Sequence, residues 1–186
     1  MEKDTFGRIK TSDTALLIID IQEKFIPHID NIDRVVENAA RLAKGCRELE
    51  IPIIVTEQYP EGLGHRTEKI EEALGKYTPF EKTAFSLFED KTIKAAIAEL
   101  GRPNLLVTGI EAHVCLIKTV LDGLAEGYSM HWVADAISSR TKSNRKAAAA
   151  RAIQCGAFSS STEMALFQLI SSSRDEHFRA ISKIVK

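Results

Sequence analysis

The chain has 186 residues, 44% hydrophobic and 27% charged, a length and composition that suit one globular domain with one core. Lys and Arg total 25 against 26 Asp and Glu, a formal net charge of -1, so nothing electrostatic points to nucleic acid or an anionic membrane as the main partner. No apolar run reaches the length of a membrane span, and Met1 to Thr11 does not read as a secretory leader, so a cytoplasmic location is expected.

Strand and helix alternate along the chain. Ala15 to Ile19 is a continuous apolar run ending at Asp20, the pattern of a strand buried on both faces of a parallel sheet. A helix follows from Ile32 to Leu49, with Val35, Ala39, Leu42 and Cys46 on one face and Asn31 or Asp30 as its cap. Pro52 to Thr56 is a second strand. Glu57 to Thr67 carries Pro60, Gly62 and Gly64 and reads as a loop. A short helix over Glu68 to Gly75 and a short strand within Thr78 to Thr83 come next. Asp90 caps a helix stopped by Gly101 and Pro103. Asn104 to Gly109 is the fourth strand, Ala112 to Glu126 a helix, Ser129 to Ala134 the fifth strand and Ser143 to Gln154 an Ala-rich helix. A strand at Ala157 to Ser159 and helices at Thr162 to Ser171 and Ser173 to Val185 complete the chain.

Strands and helices spaced this way imply right-handed crossovers and a three-layer α/β/α, Rossmann-like sandwich. In such sheets the ligand crevice lies beyond the carboxyl ends of the strands. Asp20, Glu57 with Gln58, and Gly109 to Glu111 should therefore border one crevice.

The 3 cysteines are too few and scattered for a disulfide framework. Cys46 and Cys155 lie in helical patterns and read as small buried hydrophobes. Cys115 follows a strand end at Gly109 and falls in the first turn of the next helix. Free amides and the positive helix end favour a thiolate there and can receive an oxyanion; a cysteine pointing into the core fits the same pattern. Asp20 suits a desolvated carboxylate or a turn cap. Lys82, among apolar neighbours, suits a buried ammonium or a surface lysine. His113 lies two residues from Cys115, so the two do not face each other on a helix. It is placed on the pocket wall or at a subunit contact, not as the base. Phe25, Gln58 and Tyr59 are the other candidates for the substrate pocket, Phe25 suiting the core equally well.

Leu17 to Gln22, Glu81 to Ser86 and Gly109 to Cys115, in that order and spacing, resemble the signature blocks of the isochorismatase-like hydrolases. Thr56 to Gly64, Asp135 to Arg140 and Gly156 to Glu163 are similar to the isochorismatase domain-containing branch. The resemblance implies a sheet of six parallel strands and an Asp-Lys-Cys triad on Asp20, Lys82 and Cys115. It implies a cis peptide at Ile110–Glu111, with the Glu111 and Cys115 amides as oxyanion hole, and it implies a homo-oligomer.

Two departures matter. The metal-binding nicotinamidases of the superfamily carry Asp-x-His after strand two, where this chain has Glu57-Gln58-Tyr59, with His65 standing alone; no metal or cofactor is expected. True isochorismatases place a small residue at the nucleophile position, so Cys115 argues against vinyl-ether hydrolysis by that route. The expected activity is metal-independent hydrolysis of a small amide-type or related acyl substrate through a thioester. The competing reading is a binding or scaffold protein that keeps the fold without turnover. An oxidoreductase reading lacks Gly-x-Gly-x-x-Gly after the first strand, and a nuclease reading lacks a carboxylate-rich metal site or basic patch.

Overall fold

The structure, a computed structural model, describes residues 6–186; positions 1–5, part of the segment read above for a leader, lie outside it. Six strands form one parallel sheet: β1 (Thr14–Ile19), β2 (Ile53–Gln58), β3 (Phe80–Lys82), β4 (Asn104–Gly109), β5 (Ser129–Ile137) and β6 (Phe158–Ser160). Their order is β3-β2-β1-β4-β5-β6, that of a doubly wound Rossmann sheet.

The β1 sequence explains the layering. Leu16 and Ile18 join one core, and Ala15, Leu17 and Ile19 join the other. A strand with apolar residues at every position needs cover on both faces. One face is covered by α1 (Ile32–Glu48), α3 (Glu68–Leu74), α7 (Thr162–Leu169) and α8 (Phe178–Val185), with Val35, Leu42, Ile70, Leu166 and Ile181 buried among them. The other is covered by α4 (Lys91–Glu99), α5 (Ile117–Ala125) and α6 (Lys142–Gln154), through Ile93, Ile97, Val120, Ala148 and Ala152.

Several elements depart from the sequence expectation. β2 runs on to Gln58, and α2 (Pro60–Leu63) interrupts the loop expected from Glu57. A 3-10 helix covers Glu23–His28. The helix expected from Ala112 opens instead as a π-helical turn, Ala112–Leu116, before α5 begins. β5 continues to Ile137 with a register irregularity opposite Val107 and Gly109; its polar Asp135 hid the extension, since that carboxylate accepts from Thr162 N at 2.8 Å and Oγ1 at 3.0 Å at the start of α7. α8 starts at Phe178, not Ser173. Asn31 occupies the cap position of α1 in a left-handed conformation but makes no side-chain cap bond, whereas Asp90 caps α4 through Thr92 N and Ile93 N. Cys46 is buried as expected. Cys155 is exposed: it follows the last residue of α6, in a turn whose buried residue is Ala152.

Gly109 is fixed by the sheet. It pairs with Ile19 at φ 123°, and a Cβ there would lie 2.0 Å from the Ile19 carbonyl oxygen. No L side chain fits that approach. The chain is thereby turned at the end of β4 toward Asp20.

Candidate active site

β1 and β4 are neighbours at the sheet centre, yet their connections leave in opposite directions. At this switch point a crevice opens beyond the strand ends. Asp20 follows β1, Lys82 ends β3, and Cys115 lies in the π-helical turn after β4. The three come together although long stretches of chain separate them. Asp20 is 1%, Lys82 2% and Cys115 6% exposed.

Asp20 has φ 55°, a left-handed conformation that Asp tolerates better than most residues. Its Oδ1 accepts from Thr56 Oγ1 at 2.7 Å and its Oδ2 from Lys82 Nζ at 2.6 Å. Lys82 Nζ also donates to Gln58 Oε1 at 2.6 Å and Ala84 O at 3.3 Å, and lies 3.8 Å from Cys115 Sγ. The ammonium is thus held between carboxylate and sulfur. Breaking such a buried pair by removing one partner costs about 3–5 kcal/mol.

Burial first, then the Asp20 charge, pushes the Cys115 thiol up to about 12, against the pull of Lys82 and of a hydrogen bond from the Glu111 backbone N–H. Lost hydration and the neighbouring anion thus oppose the thiolate that the amide end of this short, widened turn and Lys82 favour. π-helical turns of this kind recur at functional sites.

The Ile110–Glu111 peptide is cis. The buried Glu111 carboxylate is gripped by Arg140, Nε at 2.7 Å from Oε1 and Nη2 at 3.0 Å from Oε2. One residue therefore offers its N–H to the sulfur and its side chain to a bidentate anchor. His113, half-buried, faces Ser139 Oγ through Nδ1 at 2.5 Å. Phe25 lines a cavity of about 530 Å³ with Lys24, His28, Leu63 and Arg140, and Tyr59 lines one of about 340 Å³ whose wall includes Lys82. Gln58 is turned inward onto Lys82.

Glu57 is 1% exposed. It accepts from Arg66 N at 2.9 Å and Arg66 Nη1 at 3.1 Å, and its Oε2 lies 3.0 Å from His65 Nδ1. Burial alone raises its carboxyl, but these bonds prevail and hold it below the usual range. The guanidinium supplies the positive charge beside this carboxylate. Among the described residues, no group of three or more His, Cys, Asp or Glu is disposed to hold a metal ion, and no helix is long and apolar enough to cross a membrane.

Sequence reasoning missed the Glu111–Arg140 pair, the Glu57–Arg66 pair and the links from Gln22 and Gln58. Gln22, Glu57 with Gln58, Glu111 and Arg140 each lie in one of the quoted blocks, whereas Arg66 lies in none.

The fold is a three-layer α/β/α, Rossmann-like sandwich whose switch point brings together the buried side chains of Asp20, Lys82 and Cys115. The family model described as "Isochorismatase domain" matches residues 14–164. Isochorismatase domain-containing protein 2 of Danio rerio is 40% identical over 181 residues, covering 96% of this chain and 90% of that protein. A solved structure described as MAR1 ribonuclease from Caenorhabditis elegans superposes with a TM-score of 0.90 at 36% identity, covering 96% of this chain and 92% of that one. The Escherichia coli YcaC gene product, described as an octameric hydrolase of unknown specificity, shares the fold at a TM-score of 0.89 and 19% identity, covering 95% and 88%. The chain belongs to the isochorismatase family, a family of isochorismatase-like hydrolases.

Proposed function

We propose that this chain is a cysteine hydrolase that cleaves a small amide-type or related acyl substrate through a thioester on Cys115. The observation that carries the reading is the convergence of Asp20, Lys82 and Cys115, with one ammonium 2.6 Å from the carboxylate and 3.8 Å from the sulfur.

In the proposed mechanism Asp20 takes the thiol proton as the sulfur attacks the carbonyl carbon. A C–S bond forms, and the carbonyl π pair moves to oxygen. The Glu111 and Cys115 amides stabilise that oxyanion. The tetrahedral intermediate collapses, the C–N bond breaks, and Asp20 returns its proton to the departing amine. Water then attacks the thioester, losing a proton to Asp20. The C–S bond breaks, the acid leaves, and the sulfur is reprotonated. Lys82 balances negative charge throughout. No step is assigned to a metal: Arg66 already meets Glu57, the residue standing where the nicotinamidases carry their metal-binding Asp.

The ribonuclease description of the C. elegans relative makes RNA the second substrate class to test. The acyl reading is preferred because Lys82 and Arg140 are paired with Asp20 and Glu111, and the chain carries a net charge of -1. Self-association is part of the reading, on the resemblance and on the octameric relative; light scattering gives the stoichiometry.

The test is a screen of small amides and acyl compounds, with RNA in parallel, followed by intact mass spectrometry for an adduct on Cys115. Turnover that survives Cys115→Ala refutes the covalent mechanism. A screen with neither turnover nor adduct supports the scaffold reading.

A further inference from the structure

Two glutamines lie behind the proposed triad, and their bonding leaves them little freedom. Gln58 Oε1 accepts from Lys82 Nζ at 2.6 Å, and Gln58 Nε2 donates to Thr83 O at 2.8 Å. An ammonium only donates and a carbonyl only accepts, so the amide can face one way only. Gln58 is fixed in turn by Gln22, which is fully buried. Gln22 Oε1 accepts from Gln58 N at 2.8 Å, while its Nε2 donates to Gln58 O at 3.0 Å and to Gly64 O at 2.6 Å. Gln22 thus grips the Gln58 backbone on both sides and ties it to the loop after α2.

We propose that Gln58 is a positioning residue that holds the Lys82 ammonium between Asp20 and Cys115, with Gln22 locking Gln58 in place. The assignment rests on the hydrolase reading of the site. Its chemical logic lies in neutrality. A carboxylate at position 58 would also grip the ammonium, but it would add a second anion beside Asp20 and a sulfur that must become negative. A carbonyl dipole orients Lys82 and leaves its charge for the anion that forms on sulfur. The inward-turned side chain also sets Gln58 apart from Tyr59, half of whose surface is exposed at the neighbouring cavity.

The test compares Gln58→Leu and Gln58→Glu with the intact wild-type chain. Iodoacetamide alkylation of Cys115 is followed from about pH 6 to about pH 10, and steady-state kinetics on an accepted amide are measured alongside. Gln58→Glu is expected to slow alkylation of Cys115 at every pH in that range. Gln58→Leu is expected to lower kcat by about 10- to 100-fold with KM little changed, the effect of losing one hydrogen bond to a charged group. A raised KM with kcat intact makes Gln58 a substrate contact and overturns the proposal. A drop in melting temperature with both alkylation profiles unmoved makes it merely structural and overturns it too. The alkylation arm needs no substrate, so it decides the positioning role even where the amide screen fails. Turnover by Cys115→Ala sinks the hydrolase reading separately.

Discussion

His131 offers a quantitative test of how this fold responds to acid. It lies on β5 with 2% of its surface exposed, its Nε2 3.3 Å from Asn104 Oδ1 and its ring stacked on Phe158. Burial lowers it from an ordinary 6.5 to about 4, against a smaller upward pull from Asp13. The folded protein therefore holds neutral imidazole where the unfolded chain takes up a proton. The stability this confers is complete above about pH 6.5 and is lost as the pH falls toward about 4, at roughly 1.4 kcal/mol per pH unit. Across that window the loss amounts to about 3 kcal/mol, a large part of a typical domain's stability. The perturbation is His131→Gln, which keeps an amide donor for Asn104 and cannot titrate. Urea unfolding of both proteins at a series of pH values gives the assay. Glu57 and Glu37, held low, and His65 and His177, held high by carboxylate partners, are common to both proteins and cancel in the difference. That difference should narrow by about 3 kcal/mol on going from neutral pH to about pH 4. Parallel curves, or an NMR titration placing His131 near its ordinary value, would refute the reasoning.

Other expectations follow from the site. Asp20→Asn removes the negative charge that helps hold the Cys115 thiol up, so iodoacetamide should alkylate Cys115 faster while amide turnover falls by about 100-fold or more; slower alkylation would show that the charge balance at the sulfur is misread. Lys82→Met leaves Asp20 buried without its cation and should cost about 3–5 kcal/mol in urea unfolding, with Lys82→Met/Asp20→Asn recovering much of the loss; additive losses would mean that the pair is not coupled. Gly109→Ala places a Cβ 2.0 Å from the Ile19 carbonyl oxygen, and because the obstacle is backbone it should cost about 3 kcal/mol or more; a near-wild-type melting temperature would contradict the close β1–β4 approach.

Much of this was readable from the chain. The unbroken apolar run of β1 required a two-sided sheet, and the alternation with helices implied parallel strands, while the strand order itself came only with the structure. Asp20 was visible because it follows the apolar run of β1, and Cys115 because it falls in the first turn after β4. Lys82 was weaker: by itself it looks like any surface lysine, and only the block around it marked it out. What stayed hidden depends on partners far apart in sequence. Glu111 and Arg140 lie 29 positions apart and Gln22 and Gln58 36, and no local periodicity encodes such pairs. The π-helical turn was hidden for a different reason, since nothing in Ala112 to Leu116 marks a widened turn and tertiary contacts such as Ala112 N to Ser138 O at 2.8 Å hold it. Helix propensity is a weak prior against such bonds. Cys155 was misplaced because a helical pattern does not reveal which of its last residues still face the core.

The upward pull on the Cys115 thiol also limits how the proposed chemistry can run. With the thiol protonated, the buried cluster holds one anion, one cation and one neutral sulfur, and its charges cancel. Ionising the sulfur by losing its proton to water would leave a net negative charge in a space almost closed to solvent, which is what holds the thiol near 12. Passing that proton to Asp20 leaves the net charge unchanged, because negative charge only moves from carboxylate to sulfur. Lys82 touches both ends of the transfer and need not move far to follow it. A site built this way keeps its cysteine unreactive until a carbonyl is in position to receive the electron pair.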